Sequence, residues 1–188
     1  MKTLVFATTN KGKLAELTAL LGSGWAVLSA ADFPSVPEVI EDGETFEANA
    51  QKKAMTLAYA TGELALADDS GLCVDFLNGA PGVHSARYAA DDVQRNLKLL
   101  RALEGVEAEK RTARFVSVLC LADPSGQLAF ARGECEGRIA LSPRGAHGFG
   151  YDPVFEVASG HTLAELTRDE KSALSHRGRA FAKLKSLL

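Results

Sequence analysis

Thr3-Leu4-Val5-Phe6-Ala7 runs into Thr8-Thr9-Asn10-Lys11-Gly12-Lys13, and then into apolar residues at Leu14, Leu17 and Leu21. A short unbroken apolar run followed by apolar residues at helical spacing predicts a buried strand that leads through a polar turn into a helix. The same change of period recurs along the chain. Glu44 to Thr61 is predicted as a longer helix, with Phe46, Ala50, Ala54 and Leu57 on one side and Gly62 just past its end. Leu64-Ala65-Leu66-Ala67 is the next strand. Asp91 or Asp92 can cap a helix whose apolar stripe is Val93, Leu97, Leu100 and Leu103. Ala113 to Ala122 and Gln127 to Glu134 flank Asp123-Pro124-Ser125-Gly126, a hairpin signal. Towards the end, Thr167 and Glu170 have capping-box spacing, and Ala180, Phe181, Leu184 and Leu188 form a last amphipathic stripe. Strands alternating with helices around one long hairpin predict an α/β fold with a mixed sheet.

Composition sets the outer limits. The chain has 188 residues, long enough for a single domain spanning 1–188, and its 21 basic and 24 acidic residues leave a net charge of −3. Such a balance argues against holding a nucleic-acid backbone through general charge. No apolar run approaches the ~20 residues of a membrane helix, and the first ten residues do not read as an export signal. Cys73, Cys120 and Cys135 show no CxxC spacing, so they are read as small apolar residues of a reducing compartment. The expectation is a cytoplasmic protein with neither a nucleic-acid nor a membrane partner.

Five features carry chemistry. The turn Thr8 to Lys13 sits at a strand's carboxyl end and opens a helix, where backbone N–H groups and two lysines favour an anion. It is not a Walker loop: the first glycine such a loop requires falls on Ala7, and Leu14 follows Lys13. Asp68-Asp69-Ser70-Gly71 follows an apolar strand. In a strand the two carboxylates would point to opposite faces; in a turn both could serve one site, for instance with Mg2+, or simply form a solvated turn. Lys53 falls between Phe46 and Leu57 on its helix, with Asn49 beside them and Glu41-Asp42-Gly43 just upstream. A cation centred on an apolar stripe either snorkels or meets an anion. Gly145-Ala146-His147-Gly148-Phe149-Gly150-Tyr151-Asp152-Pro153 permits close backbone approach and can offer an aromatic face to a base, or a core Phe beside a turn. Lys171 and Ser175-His176-Arg177 gather donors at a helix boundary.

Together these segments, in this order, resemble the inosine/xanthosine triphosphate pyrophosphatase family. The resemblance runs from Thr8–Lys13 through Gly43-Glu44-Thr45-Phe46 with Asn49 and Lys53, and Ala67-Asp68-Asp69-Ser70-Gly71-Leu72. It continues through Gly79-Ala80-Pro81-Gly82-Val83 with Ser85-Ala86-Arg87-Tyr88, and Gly148 to Pro153, to Lys171-Ser172 and Ser175-His176-Arg177-Gly178. Ala48 departs from it, since many members carry Glu there, and the segment from Val106 to Ile139 carries little signature.

The resemblance implies an elongated mixed sheet with helices, two lobes and a central cleft, usually as a homodimer. It also implies hydrolysis of ITP, dITP or XTP to a nucleoside monophosphate and pyrophosphate, with Mg2+. Thr8, Thr9, Asn10, Lys11, Gly12 and Lys13 would hold the triphosphate. Asp69 would be general base and metal ligand, assisted by Asp68 and Glu41, with Lys53 oriented to the phosphates and Ser70 touching the substrate. Phe149 would stack on the purine beside Gly150, Tyr151 and Asp152, while Lys171, His176 and Arg177 close over phosphates and base. Two other expectations stand beside this one: a purine nucleotide sensor without turnover, and a relative acting on modified pyrimidines.

Overall fold

The computed structural model describes residues 2–186 and 188. Its elements are β1 (Lys2–Phe6), α1 (Lys11–Leu21), β2 (Trp25–Ser29), α2 (Phe46–Thr61), β3 (Leu64–Val74) and α3 (Asp92–Ala102), followed by β4 (Thr112–Ala122), β5 (Leu128–Ile139), β6 (Phe155–Glu156), α4 (Arg168–Leu174) and α5 (His176–Leu184). The sheet order is β2-β1-β3-β4-β5-β6. Strand β1 runs parallel to β2 and β3, whereas β5 and β6 are antiparallel, so the sheet is mixed as expected. The chain divides into two compact units. One contains residues 1–69, 117–133 and 179–188; the other contains 70–116 and 134–178.

In the first unit, alternation along β1 and β3 sends Leu4, Phe6 and Leu66 into one core with Leu17 of α1 and Phe181 and Leu184 of α5. Phe6 and Phe181 meet edge to face, with ring centroids 6.1 Å apart. Each such buried side chain contributes roughly 1.5–3 kcal/mol. Helix α2 begins two residues later than predicted, because Thr45 caps it by accepting from the Ala48 amide. Gly62 ends it in the left-handed conformation, as expected.

In the second unit, Leu72 and Val74 pack with Leu99, Leu103, Phe155 and Tyr151. Of the stripe expected on α3, Leu100 and Leu103 do pack into the core, but the first half is corrected. Val93 is 65% exposed and Leu97 lies on the surface, while Asn96 and Leu99 are buried. The helix is turned so that the Asn96 amide donates to the Gly150 carbonyl at 3.0 Å. A second correction concerns β3. Pairing does not stop at Ala67; the strand continues through Asp68-Asp69-Ser70-Gly71 to Val74. The adjacent carboxylates therefore point to opposite faces, and the turn that would have aimed both at one site does not exist.

Candidate active site

Chemistry in the first unit begins where β1 ends. Thr8 is buried, and its Oγ1 accepts from the Asn10 amide at 3.1 Å. Asn10 then caps α1, its Oδ1 accepting from the amides of Gly12 at 2.8 Å and Lys13 at 3.2 Å. In this turn the amides of Asn10, Gly12 and Lys13 thus have side-chain acceptors of their own. What the turn presents outward is the exposed stretch Thr9-Asn10-Lys11-Gly12, at the positive end of the α1 dipole. Lys13 turns inward to the buried Asp68 carboxylate, at 2.7 Å.

Asp69 faces α2 instead. Lys53 Nζ donates to Asp69 Oδ1 at 3.2 Å and to Glu41 Oε1 at 3.1 Å, so one ammonium joins two carboxylates. Asn49, one turn earlier on α2, donates from Nδ2 to Asp69 Oδ2 at 3.2 Å. Its Oδ1 accepts from the Gly43 amide at 2.8 Å, which ties the Glu41-Asp42-Gly43 segment to the same helix. A Cβ on Gly43 would lie 2.6 Å from that oxygen, so the approach needs glycine. Burial pushes the Asp69 carboxyl above its ordinary value, against the opposing pull of Lys53 and Asn49. Burial alone would lower the Lys53 ammonium, but Asp69 and Glu41 together outweigh it and hold the lysine above its usual range. The arrangement is a carboxylate with one protonated partner on each oxygen, kept in poor contact with water.

The second unit is built differently. Phe149 is 70% exposed, and the Lys171 ammonium lies 4.6 Å from its ring centroid. Lys171 also pairs with the buried Asp152 carboxylate, which accepts from the Phe149 amide at 2.8 Å. Gly148 has φ +82°, and a Cβ there would collide with the Asp152 carboxylate. At Gly145 a Cβ would strike the Ala164 backbone. Tyr151 is turned into the core, donating to the Ser85 carbonyl at 2.8 Å, and burial raises its phenol. His176, at the start of α5, stacks on Phe115 with centroids 5.1 Å apart and planes 13° from parallel. Arg177 beside it is half-buried, as is Ser70 on β3.

The structure therefore brings together Lys53, Asp69 and Glu41 in one group, Lys13 and Asp68 in another, and Phe149, Asp152 and Lys171 in a third. Asn49 joins the Asp69 group, although the sequence reading gives it no role. Its inward position four residues before Lys53 was the available signal. Asp92 and Asn96, which hold the Gly150 backbone, had no local signal, because their partner lies more than fifty residues away.

The Ham1 family model matches residues 4–187. A dITP/XTP pyrophosphatase of Shouchella clausii is 53% identical over 192 residues, covering 100% of this chain and 97% of its own. One from Geobacter sulfurreducens is 54% identical over 193 residues, with the same coverage of 100% and 97%. Among solved structures, a HAM1 protein from Coxiella burnetii superposes with a TM-score of 0.94 at 44% identity, covering 100% of this chain and 98% of that one. The nucleoside-triphosphatase / dITP/XTP pyrophosphatase of Mycobacterium abscessus gives 0.87 at 45% identity, covering 97% and 98%. With this likeness running the whole length of the chain, the protein belongs to the Ham1 family.

Proposed function

We propose that this protein hydrolyses the deaminated purine nucleoside triphosphates ITP, dITP and XTP to the nucleoside monophosphate and pyrophosphate, clearing them from the nucleotide pool. The observation that carries the reading is the buried Asp69 carboxylate, held by Lys53 on one oxygen and by Asn49 on the other. The relatives named as dITP/XTP pyrophosphatases support the substrate class.

In this mechanism a water oxygen attacks the α-phosphorus while Asp69 accepts its proton. The bond from the α-phosphorus to the bridging oxygen breaks, and pyrophosphate departs with the electron pair. Lys53 keeps Asp69 oriented, and its charge, with those of Lys11 and Lys13, offsets what develops on the phosphates. Glu41 and Asp69 already face one cation through two hard oxygens, and Mg2+ takes few carboxylates, filling its remaining positions with water and phosphate oxygens. The residues fit that ion, and Glu41 and Asp69 would hold it; among the described residues no group of three or more His, Cys, Asp or Glu gathers to do so alone. When bound, Mg2+ supplies positive charge opposite the triphosphate. Asp68, paired with Lys13, holds that lysine in place.

Base recognition falls to Phe149 as a stacking face and to donors from Lys171, His176 and Arg177. Hypoxanthine and xanthine carry an acceptor oxygen at the purine 6 position, where adenine carries a donor. A donor aimed there loses its partner with adenine, which can discriminate by roughly 10⁴-fold. None of the described helices is long and apolar enough to cross a membrane, and a homodimer is the assembly the family resemblance supports.

The test is turnover of ITP, dITP, XTP, ATP and GTP with product identification. Pyrophosphate from the first three, strongly reduced in Asp69→Asn, is expected. Binding without hydrolysis would make the protein a nucleotide sensor, and orthophosphate would place the broken bond elsewhere.

A further inference from the structure

Phe149 has little to hold its ring in place. The side chain is mostly exposed, and its described ring contact is the Lys171 ammonium. Where the ring points is therefore decided by the backbone on either side. That backbone is anchored by side chains at three successive peptide groups. The amide entering Phe149 donates to Asp152 Oδ2 at 2.8 Å. The amide leaving it, that of Gly150, donates to Asp92 Oδ2 at 2.7 Å. The next carbonyl, that of Gly150, accepts from Asn96 Nδ2 at 3.0 Å. Asp92 and Asn96 are four residues apart on α3, so one helical turn holds both polar groups of Gly150.

The Asn96 amide can point only one way, since a carbonyl facing the Gly150 carbonyl would set two acceptors together. In this orientation its Oδ1 is buried and meets no donor among the described residues. A leucine would fill the site without leaving a buried acceptor unmatched. An asparagine retained there is accounted for by what its Nδ2 does.

We propose that Asp92 and Asn96 are positioning residues for base recognition: by clamping Gly150 they hold Phe149 where the purine stacks. The proposal rests on the stacking role given to Phe149 above. A pinned platform is ordered before substrate arrives, so releasing it lowers affinity rather than the chemical step.

The experiment measures kcat and KM for ITP and ATP in wild type, Asn96→Asp, Asp92→Ala, Asp92→Asn and Phe149→Ala, and in the double variant Phe149→Ala/Asn96→Asp. Asn96→Asp and Asp92→Ala are expected to raise KM for ITP on the order of tenfold, with kcat within about twofold. KM for ATP rises in the same proportion, since any purine face can stack, and the split between KM and kcat is what a general loss of stability would not produce. Asp92→Asn keeps an acceptor for the Gly150 amide and recovers part of what Asp92→Ala loses. In the Phe149→Ala background, Asn96→Asp adds little, because the ring it positions is gone. Should Asn96→Asp fail to fold, Asp92→Ala, at a half-exposed helix start, carries the same test. Unchanged KM in both variants, or an equal loss with and without Phe149, overturns the proposal. A wild type that turns over no ITP overturns the functional reading itself, a separate outcome read from the first assay.

Discussion

The Asp69 group of the first unit and the Phe149 loop of the second use polar side chains in opposite ways. Around Asp69 the partners are other side chains: Lys53 joins two carboxylates, and Asn49 supplies a further donor. Around Phe149 they are peptide groups, held by Asp152, Asp92 and Asn96. Asp69, Lys53 and Asn49 sit on a strand and a helix, whose backbone bonds are already satisfied, so their side chains are largely devoted to placing charge; only the segment carrying Glu41 needs a tie, from Asn49 to the Gly43 amide. The second is a loop with no ladder of its own, and side chains must supply the bonds that a regular element would make internally. Under the proposed function, the reacting carboxylate would thus be set by electrostatics and the recognition surface by shape.

The largest test of this contrast is Asp69→Asn. It is expected to lower kcat by about 10³-fold, the scale of a lost general base, with KM much less affected. Burial raises the Asp69 carboxyl above its ordinary value, so ionising it costs more in the folded protein than in the unfolded chain. The carboxyl's contribution to stability is full below the unfolded value and is lost as pH rises through the folded one, which leaves the ionised group unfavourable at neutrality. A melting temperature unchanged or raised in Asp69→Asn, beside the lost turnover, is the expected pair of measurements.

Lys53→Met comes next, with a loss in kcat of about 10²-fold. It also removes a group that lowers the Asp69 pKa, so the acid limb of the pH–rate profile moves to higher pH. A limb that stays in place would separate it from Asp69.

Phe149→Ala probes the other region. Stacking of a base on an aromatic ring contributes about 1–3 kcal/mol, so KM for ITP rises about tenfold, with kcat and melting temperature nearly constant because the ring is exposed.

The smallest effect is expected for Glu156→Gln, a purely structural site of the second unit. Burial would raise this carboxyl, but hydrogen bonds and charge from Arg144 and Arg138 hold it below its ordinary value of 4.5. Its contribution is present above pH 4.5 and is lost as pH falls through the folded value. Both arginines are partly in water, so the loss is about 1 kcal/mol in denaturant unfolding, with KM unchanged.

Legibility in the sequence followed how local each cause was. The Gly62 cap, the capping box at Thr167 and Glu170, and the turn at 123–126 depend on neighbours a few residues away, and all are readable, whereas the Thr45 cap falls inside the helix the sequence predicts. The inward Lys53 is readable too, since helical phase alone places it. Strand β2 has no fully buried residue and β6 has only two residues, too little pattern to stand out. Asp-Asp-Ser-Gly disfavours a strand by propensity, yet sheet pairing carries β3 through it. Val93 and Leu97 are exposed because α3 buries Leu99, Leu103 and the polar Asn96 instead, and a buried asparagine paired with distant Gly150 is invisible to periodicity.

Strand β3 makes the spacing of its own residues a hard constraint. Phe6 pairs with Leu66, and two residues beyond it Asp68 turns to α1 while Asp69 turns to α2. One added amino acid between Leu66 and Asp68 would exchange the two acids across the sheet, giving Lys53 and Asn49 the carboxylate meant for Lys13. Length variation along this chain should therefore collect in its connections and be absent from Ala67, the one residue between that pairing and the acid pair.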